Sequence, residues 1–174
     1  MMKEKEIFKD ANVLNIPSKL AKACLDNEDM LSLLLFSTII KHYSLDSRLT
    51  NLKTNFIRDL LGCSKTKACR VLELAKKNKF FFNYDEKNSI LTARNIKRPY
   101  TKKLIHPTHG EIWRIDVIRI LRYNEGNKIR FTFRYLKKEL KKLLLERGIK
   151  LCENYKYHFH ESSIRIAFKN KCDI

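Results

Sequence analysis

The chain has 174 residues, with 37 Lys plus Arg against 19 Asp plus Glu and a formal net charge of +18. A hydrophobic share of 44% allows a real core and excludes full disorder, and only 4 Gly and 3 Pro exclude fibrous or low-complexity structure. The longest nearly apolar run, residues 30–40, is too short for a membrane span of about 20 residues, and the charged start is followed by no apolar signal segment.

The chain begins as a charged arm. Residues 12–17 read as extended, because the residue before Pro17 is pushed out of the helical region. Residues 17–25 read as a short helix with Pro17 in its first turn. Asp26-Asn27-Glu28-Asp29 then supplies side-chain oxygens and negative charge for a helix start. The helix predicted from it covers 28–43. Its apolar residues Met30, Leu31, Leu33, Leu34, Leu35, Phe36, Ile39, Ile40 and Tyr43 surround most of its axis, which puts it in the middle of a domain. Residues 48–51 are a short connection or edge strand. Thr54 is placed to cap a second helix, 55–61, whose Phe56, Ile57, Leu60 and Leu61 turn inward and which Gly62 ends. Ser64 caps a third, 65–77. Two helices with so short a glycine-containing turn between them make a helix-turn-helix.

At 100° per residue, Ala68, Val71, Leu72 and Ala75 share one side of the third helix. Thr66, Arg70, Glu73 and Lys77 lie opposite, flanked by Lys65, Lys67 and Cys69. The runs 80–84 and 89–94, separated by Asp85-Glu86-Lys87-Asn88, predict a hairpin. The order helix, short strand, helix, turn, helix, hairpin resembles the winged helix-turn-helix superfamily over about residues 28–95. The stretch Leu60-Leu61-Gly62-Cys63-Ser64-Lys65-Thr66-Lys67-Ala68-Cys69-Arg70-Val71-Leu72-Glu73-Leu74-Ala75-Lys76-Lys77 is similar to that superfamily's second helix, turn and recognition helix. Asn15-Ile16-Pro17 before a long apolar helix is also similar to plasmid and phage replication initiators. The family often has a glycine before the first wing strand. Here Asn78-Lys79 stands instead, and Asn tolerates the left-handed conformation.

The resemblance implies double-stranded DNA as partner. Ser64, Lys65, Thr66, Lys67, Cys69 and Arg70 would face the major groove and its phosphates, with Arg70 as the reader of guanine. Lys87, Asn88 and Arg94 would touch backbone or minor groove from the wing. Lys97, Arg98, Lys102 and Lys103 belong to a basic linker that would track phosphates.

The charge partition agrees with this. Residues 1–60 hold 9 basic and 8 acidic side chains, residues 61–110 hold 12 and 3, and residues 111–174 hold 16 and 8. The surplus begins at the turn before the third helix, which suggests a built polyanion-binding face.

Residues 111–123 match a capping box at Thr108 and Glu111 but are rich in β-formers. The preferred reading is a strand paired with 128–134, where Ile129, Phe131 and Phe133 alternate with Arg130, Thr132 and Arg134. A helical reading would make a degenerate second winged helix. An amphipathic helix follows over 134–147, with Leu136, Leu140, Leu143 and Leu144 as its stripe, ended by Gly148. Residues 155–168 read as a second hairpin. Arg130, Arg134, Lys137, Lys138, Lys141 and Lys142 form a possible second basic face, with a solvated oligomerisation unit as the alternative.

Five scattered cysteines without a C-x-x-C pair read as reduced thiols. Cys152, His158 and His160 lack the spacing of a zinc site. No glycine-rich phosphate loop, nucleophile motif or converging carboxylates point to an enzyme, and no cofactor or metal is implied. The expected fold is α+β: an arm (1–27), a winged helix-turn-helix (28–95), a basic linker (96–110) and a small α+β unit (111–174). The expected function is a cytoplasmic transcriptional regulator or replication-initiation factor, with possible homodimerisation through the C-terminal unit and no membrane partner. The alternatives are a non-specific DNA- or RNA-packaging protein and a protein-interaction module.

Overall fold

A helix that is apolar on every side has to be covered on every side. In the computed structural model, which describes residues 13–94, 105–106, 110–117, 120–121 and 132–158, that helix is α2, Glu28–Tyr43, and residues 31–40 are all buried. Before it come β1 (Val13–Pro17) and α1 (Ser18–Asp26). After it come β2 (Arg48–Leu49), α3 (Thr54–Leu61), α4 (Lys65–Lys77), β3 (Phe82–Asp85), β4 (Ile90–Ala93), β5 (Ile105–His106), β6 (Gly110–Asp116) and α5 (Phe133–His158). The described residues thus form an α+β fold with five helices and two small antiparallel sheets, ordered β2–β4–β3 and β1–β6–β5.

Local chemistry sets the helix boundaries. Asn27 Oδ1 accepts from the amides of Asp29 at 3.0 Å and Met30 at 3.2 Å, which starts α2 at Glu28. Ser64 Oγ accepts from Lys67 N at 3.3 Å and starts α4 at Lys65. Gly62 stands between α3 and α4 at φ 65°, a left-handed turn that glycine adopts without strain. The buried stripe of α4 is Ala68, Val71, Leu72 and Ala75, as its periodicity predicts. The Phe36 and Phe82 rings, 5.4 Å apart, pin α2 against β3.

Thr54 is the first residue of α3 rather than its cap, and no side chain caps that helix. Its hydroxyl instead accepts from Cys69 Sγ at 3.7 Å, tying α3 to α4. Asn78 is extended, at φ −79°, not left-handed. Its Oδ1 accepts from Phe80 N at 3.0 Å and Phe81 N at 2.9 Å, so its side chain makes the turn that a glycine would make with its backbone.

The second half departs further from expectation. Residues 110–116 are strand, so the helical alternative for 111–123, and the second winged helix that depended on it, does not hold there. β6 pairs with β1, from Val13 opposite Asp116 to Pro17 opposite Ile112, and with β5, Ile105 opposite Glu111. Residues 13–17 of the expected arm are therefore one edge of this sheet, and among the described residues a single buried cluster includes both Leu14 and Leu144. Phe133, expected in a strand, opens α5, and Arg134, placed at the junction of that strand and the 134–147 helix, is helical. Residues 128–131 lie outside the described residues.

Helix α5 passes through Gly148 and ends at His158, so Tyr155, Tyr157 and His158 are helical and not part of a hairpin. The rest of that expected hairpin, with His160, lies outside the described residues. The reason for the glycine is tertiary. Leu136, Leu140 and Leu144 are buried at four-residue steps, and Gly148 is the next step. A Cβ there would stand 3.2 Å from the edge of the Trp113 ring, so the indole of β6 occupies the space a side chain would fill.

Lys41 lies in the last turn of α2, and burial draws its pKa from 10.5 down to about 8. The unfolded chain thus holds this proton more tightly, and the contribution to stability rises as pH increases from about 8 to about 10.5. Lys41→Met is expected to stabilise the fold at pH 7 by something on the order of 2 kcal/mol. The advantage should shrink by pH 10.5. Chemical denaturation at the two pH values reads it, and equal gains at both would count against a strained ammonium.

Candidate nucleic-acid interface

The short turn at Gly62 fixes α4 against α3 and leaves one side of α4 uncovered. Lys65, Thr66, Cys69 and Arg70 are exposed and Lys67 is half-buried. Ser64 heads the helix as its cap, with the first amides of α4 and their partial positive charge beside it. Arg70, expected to read guanine, has a partner within the chain. Its Nη2 donates to both carboxylate oxygens of Asp29, at 3.1 and 3.0 Å. Both side chains are largely exposed, 62% and 42%, so the pair orients the guanidinium while contributing little stability. Cys69 turns its thiol toward Thr54.

The hairpin is held by its own polar residues. Asn88 donates from Nδ2 to Asp85 Oδ2 at 2.7 Å and from its amide to Asp85 Oδ1 at 3.2 Å. These bonds hold the Asp85 carboxyl below its usual pKa. Ser89 takes φ 53° to complete the turn. Arg94 Nη1 donates to Lys79 O, and Arg94 N to Phe81 O at 2.7 Å, so this arginine closes the base of the hairpin. Of the three expected contacts here, Lys87 stands exposed at the tip while Asn88 and Arg94 serve the hairpin. Lys97, Arg98, Lys102, Lys103 and Arg130 lie outside the described residues.

The expected second basic face divides. Arg134, Lys138, Lys141 and Lys142 are exposed, and Lys142 pairs with Glu139 at 3.6 Å. Lys137 is not a surface residue. Its side chain is 9% exposed and its Nζ meets Glu28 Oε1 at 3.1 Å. The same ammonium lies 5.5 Å from the centre of the Phe133 ring. It is buried because α5 crosses the start of α2, so a position on the polar side of one helix becomes an interior position between two.

The two basic regions, 70 residues apart in sequence by the step from Ser64 to Arg134, adjoin in space. Phe133 N donates to Gly62 O at 3.2 Å, setting the first turn of α5 beside the turn before α4. Between them is a groove of about 630 Å³ lined by Ser64, Lys67, Arg134 and Lys137 among others. A second groove of about 530 Å³ shares Arg134 and Lys137 and continues to Lys138 and Lys141. Sequence reasoning missed the acidic members, Glu28 and Asp29. Their position explained them fully as helix-start residues, and nothing in the linear pattern signalled a pairing across the fold. Comparison with known protein families, curated proteins and solved structures finds none that matches this chain. No helix among the described residues is long and apolar enough to cross a membrane.

Proposed function

We propose that the chain is a winged-helix protein that binds double-stranded DNA, acting in the cytoplasm as a transcriptional regulator or a replication-initiation factor. In this reading α4 enters the major groove, the β3–β4 hairpin is the wing, and α5 extends the phosphate contact. The observation that carries it is the conjunction of topology and charge. The order α2, β2, α3, α4, β3, β4 closes a β2–β4–β3 sheet, and the side of α4 left uncovered presents Lys65, Thr66 and Arg70. A homodimer formed through the C-terminal part would set two such helices on two half-sites.

Selection of duplexes from a random pool tests the reading. A recurrent site is expected, bound at least about 1,000-fold more tightly than random duplex at physiological salt. Equal affinity for all duplexes, falling only with salt at a slope near −0.9 per neutralised phosphate, would point to packaging instead. The Asp29–Arg70 pair gives a finer test. Asp29→Ala is expected to lower the preference for the selected site about 3- to 10-fold by releasing the guanidinium. Affinity for random duplex should hold or rise, since a negative charge is lost, and competition binding separates the two effects.

A further inference from the structure

The groove between the Gly62–Ser64 turn and the start of α5 joins three cations, Lys67, Arg134 and Lys137, to one carboxylate, Glu28. We infer that this groove is a binding site for a single phosphate group. The excess of two positive charges is the first reason. Glu28 offsets only Lys137, and its side chain is 66% exposed, whereas that of Lys137 is 9% exposed. The second reason is Lys67 itself, a half-buried cation that lines the groove beside Lys137 and Arg134 and, as an ammonium, can only donate. Burial is the main cause that lowers its pKa, and the charges of Lys137 and Arg70 add to it against the opposing charge of Asp29.

The remaining lining supplies donors of the right kind. Ser64 Oγ accepts from Lys67 N at 3.3 Å, and Thr132 Oγ1 accepts from Tyr135 N at 3.3 Å. Each hydroxyl keeps its own O–H to give. Each also heads a helix, α4 or α5, where the bonds of Phe133 N to Gly62 O, Lys67 N to Ser64 Oγ and Tyr135 N to Thr132 Oγ1 still leave the first-turn amides of Lys65, Thr66 and Arg134 outside them. A phosphate, an anion whose oxygens mainly accept, matches this set. The adjoining groove toward Lys138 and Lys141 leaves room for whatever the phosphate is attached to. Two sources share this phosphate chemistry, a DNA backbone phosphodiester and a free phosphorylated molecule. The site stands whether or not the chain binds a duplex.

The test is titration of the full, isotope-labelled chain with inorganic phosphate at constant ionic strength, following backbone amide shifts. Saturable shifts are expected at Ser64, Lys67, Phe133 and Arg134. Lys67→Gln should weaken them about tenfold, as loss of a charge-assisted hydrogen bond does. Arg134→Gln, at an exposed position, provides a second variant with the same expected direction. Absence of saturation, shifts spread equally over the hairpin and α4, or wild-type binding by both variants would overturn the site. A short duplex then separates the sources. Competition with phosphate assigns the site to DNA backbone, and simultaneous binding assigns it to a free ligand.

Discussion

Replacement of Lys65, Lys67 and Arg70 together by alanine is expected to lower affinity for duplex DNA at least about 100-fold, since a good base or phosphate contact is worth about 1–3 kcal/mol. The fold should survive it. Lys65 and Arg70 are exposed, Lys67 is half-buried, and the stripe that packs α4 is Ala68, Val71, Leu72 and Ala75. The lost Arg70–Asp29 pair is a surface pair, worth at most about 1 kcal/mol. Thermal unfolding should therefore move by only a few degrees while binding collapses. The salt dependence should flatten as well, by about 0.9 in slope for each phosphate contact removed. A triple variant that folds and binds duplex as the parent does would remove α4 from the interface and favour a protein-interaction module.

Trp113→Ala carries the largest expected effect on folding, a loss of about 3–5 kcal/mol. The side chain is 3% exposed. Its ring meets Gly148 of α5 on one side, and Lys22 of α1 lies 6.0 Å from the ring centre. Removing it opens a cavity where β6, α1 and α5 meet. Trp113→Phe should be far milder, about 1 kcal/mol, because the indole Nε1 is buried without a hydrogen-bond partner among the described residues. Gly148→Leu attacks the same contact from the helix, and overpacking of this kind destabilises by about 1–3 kcal/mol. Urea denaturation followed by circular dichroism reads all three. A parent-like midpoint for Trp113→Ala would show that the β6–α5 contact is not part of the core. Since this is the only tryptophan among seven tyrosines, the parent's tryptophan emission, excited selectively, reports on that junction.

The parts of the fold that sequence made legible are those written within a few neighbouring residues. Asn27 and Ser64 each start a helix where a side-chain oxygen meets the next free amides, and α2 and α4 begin and end where the pattern places them. The β3–β4 hairpin is equally local. What escaped were relations across the chain. β1 and β6 each carry an extended pattern, but neither contains the other's address. Gly148 was legible only as a helix terminator, because glycine's local meaning is flexibility, while its role here is to admit a ring from another element. The alternation of Tyr155 and Tyr157 is too short a run to tell strand from helix.

The candidate site followed the same rule. The exposed face of α4 was readable from its 100° periodicity. The bonds that commit Asn88 and Arg94 to the hairpin, and the burial of Lys137 under Glu28, depend on which elements meet, and no spacing rule encodes that.

The pairing of β1 with β6 also bears on the order in which the molecule assembles. Val13 waits for Asp116, about 100 residues later in the chain. During synthesis, at about 5–20 residues per second, the first strand therefore has no partner for several seconds at the least. Leu14 and Ile16, buried in the finished fold, stay uncovered through that interval. The helices and the β3–β4 hairpin can form meanwhile from local contacts, whereas the β1–β6 pairing must first meet the entropy of closing a long loop. The arrival of β6 is thus what completes the burial of β1.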